Sequence, residues 1–275
     1  MYVEVPDHPR RIVSLSPAIT ETLYMLGLSD RIAGVSLYCN KPPEAKSKPR
    51  VGSYWKVLYS KLEPLNPDLI LVTTGAQLKI LGELHDKGYT VYPISLPVTL
   101  YGVLDQIIKV GIVVGEADKA RSLSYSLGEE LRALKGALEG LRVHVEIDLG
   151  GPVAPGAITY LADAFKYTGA STTFDNVRVH ERIIDGKSVA DAWIIDPDPK
   201  SIKDFNPDVY IYEVPYGGRA SFEWVFERLK SRGLEGLEAV RRGRLLVLEP
   251  DTLAHYGPSL IPTLAGLVAK IKALF

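Results

Sequence analysis

One phrase of eleven residues occurs twice in this 275-residue chain, 140 positions apart, and it limits the folds open to the sequence. At 62–72 an amphipathic run ends at Asn66-Pro67-Asp68 and passes at once into the apolar Leu69-Ile70-Leu71-Val72. At 202–212 another ends at Asn206-Pro207-Asp208 and passes into Val209-Tyr210-Ile211-Tyr212. Proline cannot continue a helix and moves the residue before it out of helical geometry, so each copy reads as helix, stop and buried strand. Solenoid repeats recur about every 20–50 residues. Two copies so much farther apart predict two lobes of like architecture, with a cleft as the natural place for a ligand.

The flanking sequence extends this reading. Strands are expected at 11–16, 32–36, 69–72 and 90–94, with helices at 19–26, 78–87 and 98–114. Alternation of this kind builds a parallel sheet covered on both faces. Residues 116–138 carry Ala117, Ala120, Leu123, Leu127, Leu131, Leu134 and Leu138 at spacings of three and four, which predicts one helix of ~30 Å joining the lobes. The second half restarts with a strand at 142–148 and a glycine-rich turn at 150–156. A helix at 158–167, the second Asn-Pro-Asp unit, a helix at 222–232, a strand at 244–248 and a helix at 258–274 complete it. The fold class expected is α/β, two Rossmann-like lobes with parallel sheets on a single long backbone helix. The division is 1–115, 116–140 and 141–275.

Composition narrows the chemistry. With 32 basic and 33 acidic residues spread along the chain, net charge −1, no basic stripe offers itself to nucleic acid. The lone Cys39 excludes an internal disulfide and reads as a small loop residue. No Gly-x-Ser-x-Gly elbow and no phosphate-binding Gly-x4-Gly-Lys loop is present, so no catalytic residue is assigned. His8, His85, His144, His180 and His255 lack the spacing that puts two ligands on one helical face, and no metal ligand set is expected. His255 stands apart, in a loop between the last strand and the last helix, because loops after parallel strands face the ligand crevice. Tyr38, Tyr54, Trp55, Trp193 and Tyr256 also sit in stretches bounded by Gly and Pro, which suits a wall for a large, flat, partly apolar ligand. Asn, Gln, Met and Cys are scarce, a bias expected of a thermophilic source.

The series Arg11-Ile12-Val13-Ser14-Leu15-Ser16-Pro17, Val35-Ser36-Leu37-Tyr38, Val51-Gly52-Ser53-Tyr54, Asn66-Pro67-Asp68 and Leu237-Glu238-Ala239-Val240 resembles, in order and over essentially the whole chain, the helical-backbone (class III) substrate-binding proteins of ABC importers. The likeness is greatest to the cobalamin (vitamin B12) binding branch, with haem and ferric-siderophore binders as near relatives. It implies a monomeric, non-enzymatic protein that captures cobalamin or a related corrinoid and hands it to importer membrane subunits. It also implies an extracytoplasmic, membrane-anchored native form whose leader has been removed. Ligand contacts carried over are Tyr38, Tyr54, Trp193, Asp251 and His255, the last standing where the family has Arg; Thr73 and Val153 stand where it has aromatics. The family docks through a Glu on each lobe, at positions that here hold Ser60 and Lys200, so Glu63 and Asp204, one helical turn onward, become the docking candidates. Two alternatives accompany this reading: haem or a ferric siderophore as ligand, and a cytoplasmic corrinoid carrier or chelatase-like protein.

Overall fold

The computed structural model describes residues 4–75, 77–177, 180–184, 187–191 and 193–275, those between 180 and 191 by their backbone; the side chain of His180 lies outside the described residues. The chain divides into two compact units, Met1–Pro97 with Tyr101–Glu129 and Tyr256–Pro258, and Val98–Leu100 with Glu130–His255 and Ser259–Phe275.

In the first unit β1 (Ile12–Ser14), α1 (Pro17–Met25), β2 (Ile32–Val35), α2 (Tyr59–Leu62), β3 (Leu69–Thr73), α3 (Leu78–Asp86), β4 (Val91–Ile94) and α4 (Leu100–Val113) follow in order, and α5 (Ala117–Arg132) starts there. The four strands are all parallel, in the order β2-β1-β3-β4. Every residue of β3 is buried, as its unbroken apolar run demands. The first Asn-Pro-Asp unit leads into it. Asn66 takes the left-handed conformation (φ 42°), which Asn tolerates better than most residues, and turns the chain into the strand. The Asp68 carboxylate then accepts the backbone amides of Arg10 and Arg11 at 2.7 and 3.0 Å, fixing Ile12 opposite Leu69.

The second unit repeats the device. It comprises β5 (Arg142–Asp148), β6 (Pro152–Pro155), α6 (Tyr160–Tyr167), β7 (Ser171–Thr172), β8 (His180–Ile184), β9 (Lys187–Asp191), β10 (Ile194–Ile195), α7 (Pro199–Phe205), β11 (Val209–Glu213), α8 (Phe222–Ser231), α9 (Glu238–Arg241), β12 (Leu245–Leu248) and α10 (Leu260–Lys272). Asn206 is again left-handed (φ 48°), and Asp208 again accepts the amide of an arginine opening the neighbouring strand, Arg142, at 3.0 Å. Here the guanidinium joins too, at 2.9 Å, and holds the Asp208 carboxyl below its ordinary range. Beneath the sheet Glu146 receives Arg232 through both oxygens at 2.8 Å and lies 3.1 Å from the His144 ring. Burial alone would raise its pKa; the His144 and Arg232 hydrogen bonds lower it instead.

Three expectations are corrected. The helix placed at 116–138 ends at Arg132, giving about 24 Å instead of ~30 Å. Beyond it Leu134, Leu138 and their neighbours form turns, because Gly136 (φ 67°) breaks the helix and the amides of Gly136 and Leu138 turn to the carbonyls of Tyr167 and Thr168. Second, the glycine-rich turn at 150–156 contains a strand: β6 folds straight back on β5, since three residues are too few for a parallel crossover. The second sheet is therefore mixed: β5, β7, β11 and β12 are parallel, β6 runs antiparallel to β5, and β10, antiparallel to β6, runs in the direction of β5 again. Third, β8 and β9 form an antiparallel hairpin that the strand and helix patterns did not suggest.

Candidate functional site

The loops after parallel strands hold Tyr38, Tyr54, Trp55, Asp251, His255 and Tyr256, while Trp193 lies between β9 and β10. In the first unit four side chains from distant positions form one chain of hydroxyls. The Gln77 amide oxygen accepts from the Thr73 hydroxyl (3.0 Å) and amide (2.8 Å), and its nitrogen donates to the carbonyls of Leu15 (3.0 Å) and Tyr54 (3.2 Å). With its proton committed to Gln77, Thr73 accepts from the Tyr54 hydroxyl at 2.9 Å, and the Tyr256 hydroxyl, 2.8 Å away, donates to Tyr54 in turn. Burial, reinforced by Tyr256, pushes the Tyr54 pKa far up, so the phenol stays neutral. Tyr54 and Tyr256 are thus brought together, and Thr73, in place of an aromatic, is the post to which Tyr54 is tied. Trp55 stands outside this chain at 65% exposure, edge-on to Tyr54 with ring centres 5.5 Å apart. Tyr38 lies half-buried after β2. Cys39 is fully buried among the hydroxyls of Thr20 and Ser36, and burial raises its thiol pKa, as befits an inert residue.

In the second unit the loop after β12 holds Asp251 and His255. Asp251 is in the left-handed region (φ 61°), and its carboxylate lies 3.7 Å from the His255 ring, which is 2% exposed. Anything meeting this loop from solvent therefore meets Asp251 before His255. Trp193, half-buried, accepts the Gly156 amide on its carbonyl at 2.8 Å. Glu213, the last residue of β11, reaches under the Asp251 loop and accepts its backbone amides.

Sequence reasoning passed over the loop after β11. Tyr216 is exposed there and Phe222 and Trp224 in the first turn of α8 that follows; Phe222 stacks on Phe226, and the Arg228 guanidinium lies 4.5 Å above the Trp224 ring. Arg228 is held by the buried Asp148 carboxylate at 3.0 Å and by the Tyr212 hydroxyl at 3.1 Å. The signal was available, since Tyr216-Gly217-Gly218 follows a parallel strand by the same rule that singled out His255. The docking candidates differ from each other. Glu63 is exposed at a turn, whereas Asp204 is ion-paired with Lys200 at 2.9 Å. Among the described residues no cluster of His, Cys, Asp and Glu could hold a metal ion.

The sequence and the fold are similar to those of known proteins. The Periplasmic binding protein family matches residues 12–252. The ABC transporter substrate-binding lipoprotein YvrC of Bacillus subtilis is 27% identical over 98% of this chain and 82% of its own length. A vitamin B12-binding protein of Vibrio cholerae is 30% identical over 131 residues, 47% of each chain. The crystal structure of a periplasmic haem-binding protein of Pseudomonas aeruginosa superposes with a TM-score of 0.80 at 22% identity, over 96% of this chain and 92% of that one, a likeness of fold. The paired α/β units, the repeated Asn-Pro-Asp clasp and a family match spanning most of the sequence lead to one conclusion: the chain belongs to the periplasmic binding protein family and is a substrate-binding protein of an ABC transporter, not an enzyme.

Proposed function

We propose that the protein captures a corrinoid, cobalamin or a close relative, on the loops that follow its parallel strands and delivers it to the membrane subunits of an importer, acting outside the cytoplasm as a membrane-anchored monomer. The observation that carries this reading is where large apolar side chains stay in solvent. Trp55 and Leu37 in the first unit, and Leu149, Tyr216, Phe222 and Trp224 in the second, stand on or beside strand-end loops, where a flat ligand would cover apolar surface that the ligand-free protein leaves in water; Met25, Ile112 and Tyr125 are exposed as well, on helices. Asp251 supplies the polar term. A corrin ring is fringed with neutral carboxamides, and a solvent-facing carboxylate accepts hydrogen bonds from such groups. Tyr38, Tyr54, Trp193 and Tyr256 complete the wall, while His255 acts from beneath through Asp251.

A second reading has its own support. Arg228, held rigid over Trp224, offers a guanidinium fork to a carboxylate, which haem or a ferric siderophore carries on its rim and a corrin ring does not. Parallel fluorescence titrations with cobinamide, cyanocobalamin, haemin and a ferric siderophore separate the two. The corrinoid reading expects saturation by cobinamide, weakened by Asp251→Asn and indifferent to Arg228→Ala. Saturation by haemin alone, weakened by Arg228→Ala, would replace it with the second.

Docking follows from the charges. Glu63 is the anion offered by the first unit, and the Lys200 and Asp204 pair presents a neutral dipole on the second. Glu63→Lys is expected to weaken association with the importer in detergent or nanodiscs at least tenfold, and Lys200→Glu to strengthen it. No change in either variant would place docking elsewhere.

A further inference from the structure

We infer that Glu213 is a positioning residue: its carboxylate occupies a ring of main-chain amides in the loop after β12 and thereby sets the conformation in which Asp251 is presented to the ligand. The geometry is specific. One carboxylate oxygen accepts the Asp251 amide at 3.0 Å; the other accepts the Ala254 amide at 3.2 Å and that of Leu253 more closely still. Three amides within four residues of the loop therefore close on one side chain from β11. Leu253, fully buried, is gripped from the other direction, its carbonyl accepting the Tyr160 hydroxyl of α6 at 2.7 Å. Asp251, between these holds, is kept left-handed, a conformation an unrestrained aspartate adopts only in the minority of cases. Without the carboxylate three amides would lie buried with no acceptor, each costing the loop more than an ordinary hydrogen bond returns.

The partners of Glu213 on the flanking strands are apolar, Ile147 of β5 and Leu248 of β12. The loop itself brings the Asp251 carboxylate, with the buried His255 ring 3.7 Å from it, and α6 brings the Tyr160 hydroxyl to the Leu253 carbonyl. Burial, with Asp251 adding to it, outweighs the three donors and pushes the carboxyl up to about 7. A loop-open state, in which water reaches Glu213, returns it towards the ordinary value of 4.5. The closed loop thus binds a proton that the open one does not, and it gains stability as pH falls from about 7 towards 4.5 and loses it as pH rises through 7.

This inference rests on the proposed function for the ligand-facing role of Asp251, and its test separates the two. In the ligand-free protein, exchange protection of the amides of Asp251, Leu253 and Ala254 is expected to fall about tenfold, relative to intrinsic rates, between pH 6 and pH 8. Glu213→Gln, which keeps an acceptor oxygen and cannot titrate, is expected to be flat with pH, and Glu213→Ala to lose protection at both. Wild-type protection that ignores pH, or equal protection in the alanine variant, would overturn the clamp whatever the ligand proves to be. With whichever compound of the panel binds, Glu213→Ala should weaken affinity at least tenfold at pH 6 with the global melting transition retained, and Glu213→Gln should restore it. Should the alanine variant fail to fold, the flat pH response of Glu213→Gln decides alone. Binding by none of the four compounds would sink the proposed function and leave the amide-exchange result standing.

Discussion

At the scale of single residues, side chains that look alike in the sequence do different work. Tyr54 and Trp55 are adjacent aromatics, yet Tyr54 spends its hydroxyl on Thr73 and Tyr256 while Trp55 stands in solvent. Tyr54→Phe should therefore act on the hydroxyl chain, lowering stability by about 1 kcal/mol with the ring retained. Trp55→Ala should leave the melting temperature nearly unchanged and weaken ligand affinity instead. Equal effects of the two changes on both quantities would contradict this division. Residue type and loop position singled out Tyr54, Trp55 and Tyr256 as candidates, and the family resemblance added Asp251. They were not enough to find Glu213, because a glutamate at a strand end resembles any solvated carboxylate until the loop folds over it. The burial of His255 escaped notice for the same reason.

At the scale of elements, the Asn-Pro-Asp units are register locks. Each Asp captures the amide of an arginine at the start of the neighbouring strand, Arg11 for Asp68 and Arg142 for Asp208. Asp208→Ala is expected to cost about 1–3 kcal/mol in denaturant unfolding, more than Lys200→Ala, whose exposed ion pair contributes little. Asp208 and Glu146 are both held below the ordinary carboxylate range, so the stability they confer is present above that range. It should be lost on acidification below about pH 4. Glu213 has the opposite sign between 4.5 and 7, and a pH–stability curve that rises monotonically to neutrality would deny it any part. A second element-level test concerns the crossing of α4 and α5, where a Cβ on Gly111 would overlap that of Ala120. Gly111→Ala should destabilise the first unit by about 1–3 kcal/mol, although alanine is the better helix former. The strands and helices of the parallel order were legible because β3 and β11 are unbroken apolar runs behind a proline. The antiparallel β6 was not, because Pro152 and Pro155 within a glycine-rich stretch have the composition of a turn.

At the scale of the molecule, the two units share several devices. Each has a parallel sheet core, an Asn-Pro-Asp clasp at the start of a central strand and aromatic side chains on strand-end loops. They differ in the polar groups beside those aromatics: Lys56 neighbours Trp55 in the first unit, and Asp251 and Arg228 stand in the second, one suited to amide donors and the other to carboxylates. Under the proposed function these groups set ligand specificity, which overall composition, near neutral and evenly mixed, could not reveal. Under the proposed function a flat metal-chelate is bound by the exposed aromatics on and beside the strand-end loops. Its most direct test is titration of the intrinsic tryptophan fluorescence with cobinamide, corrected for absorption by the ligand, in the wild type and in the double variant Trp55→Ala, Phe222→Ala. Saturable quenching is expected, with an affinity at least tenfold weaker in the double variant. Saturation with unchanged affinity in that variant would contradict it.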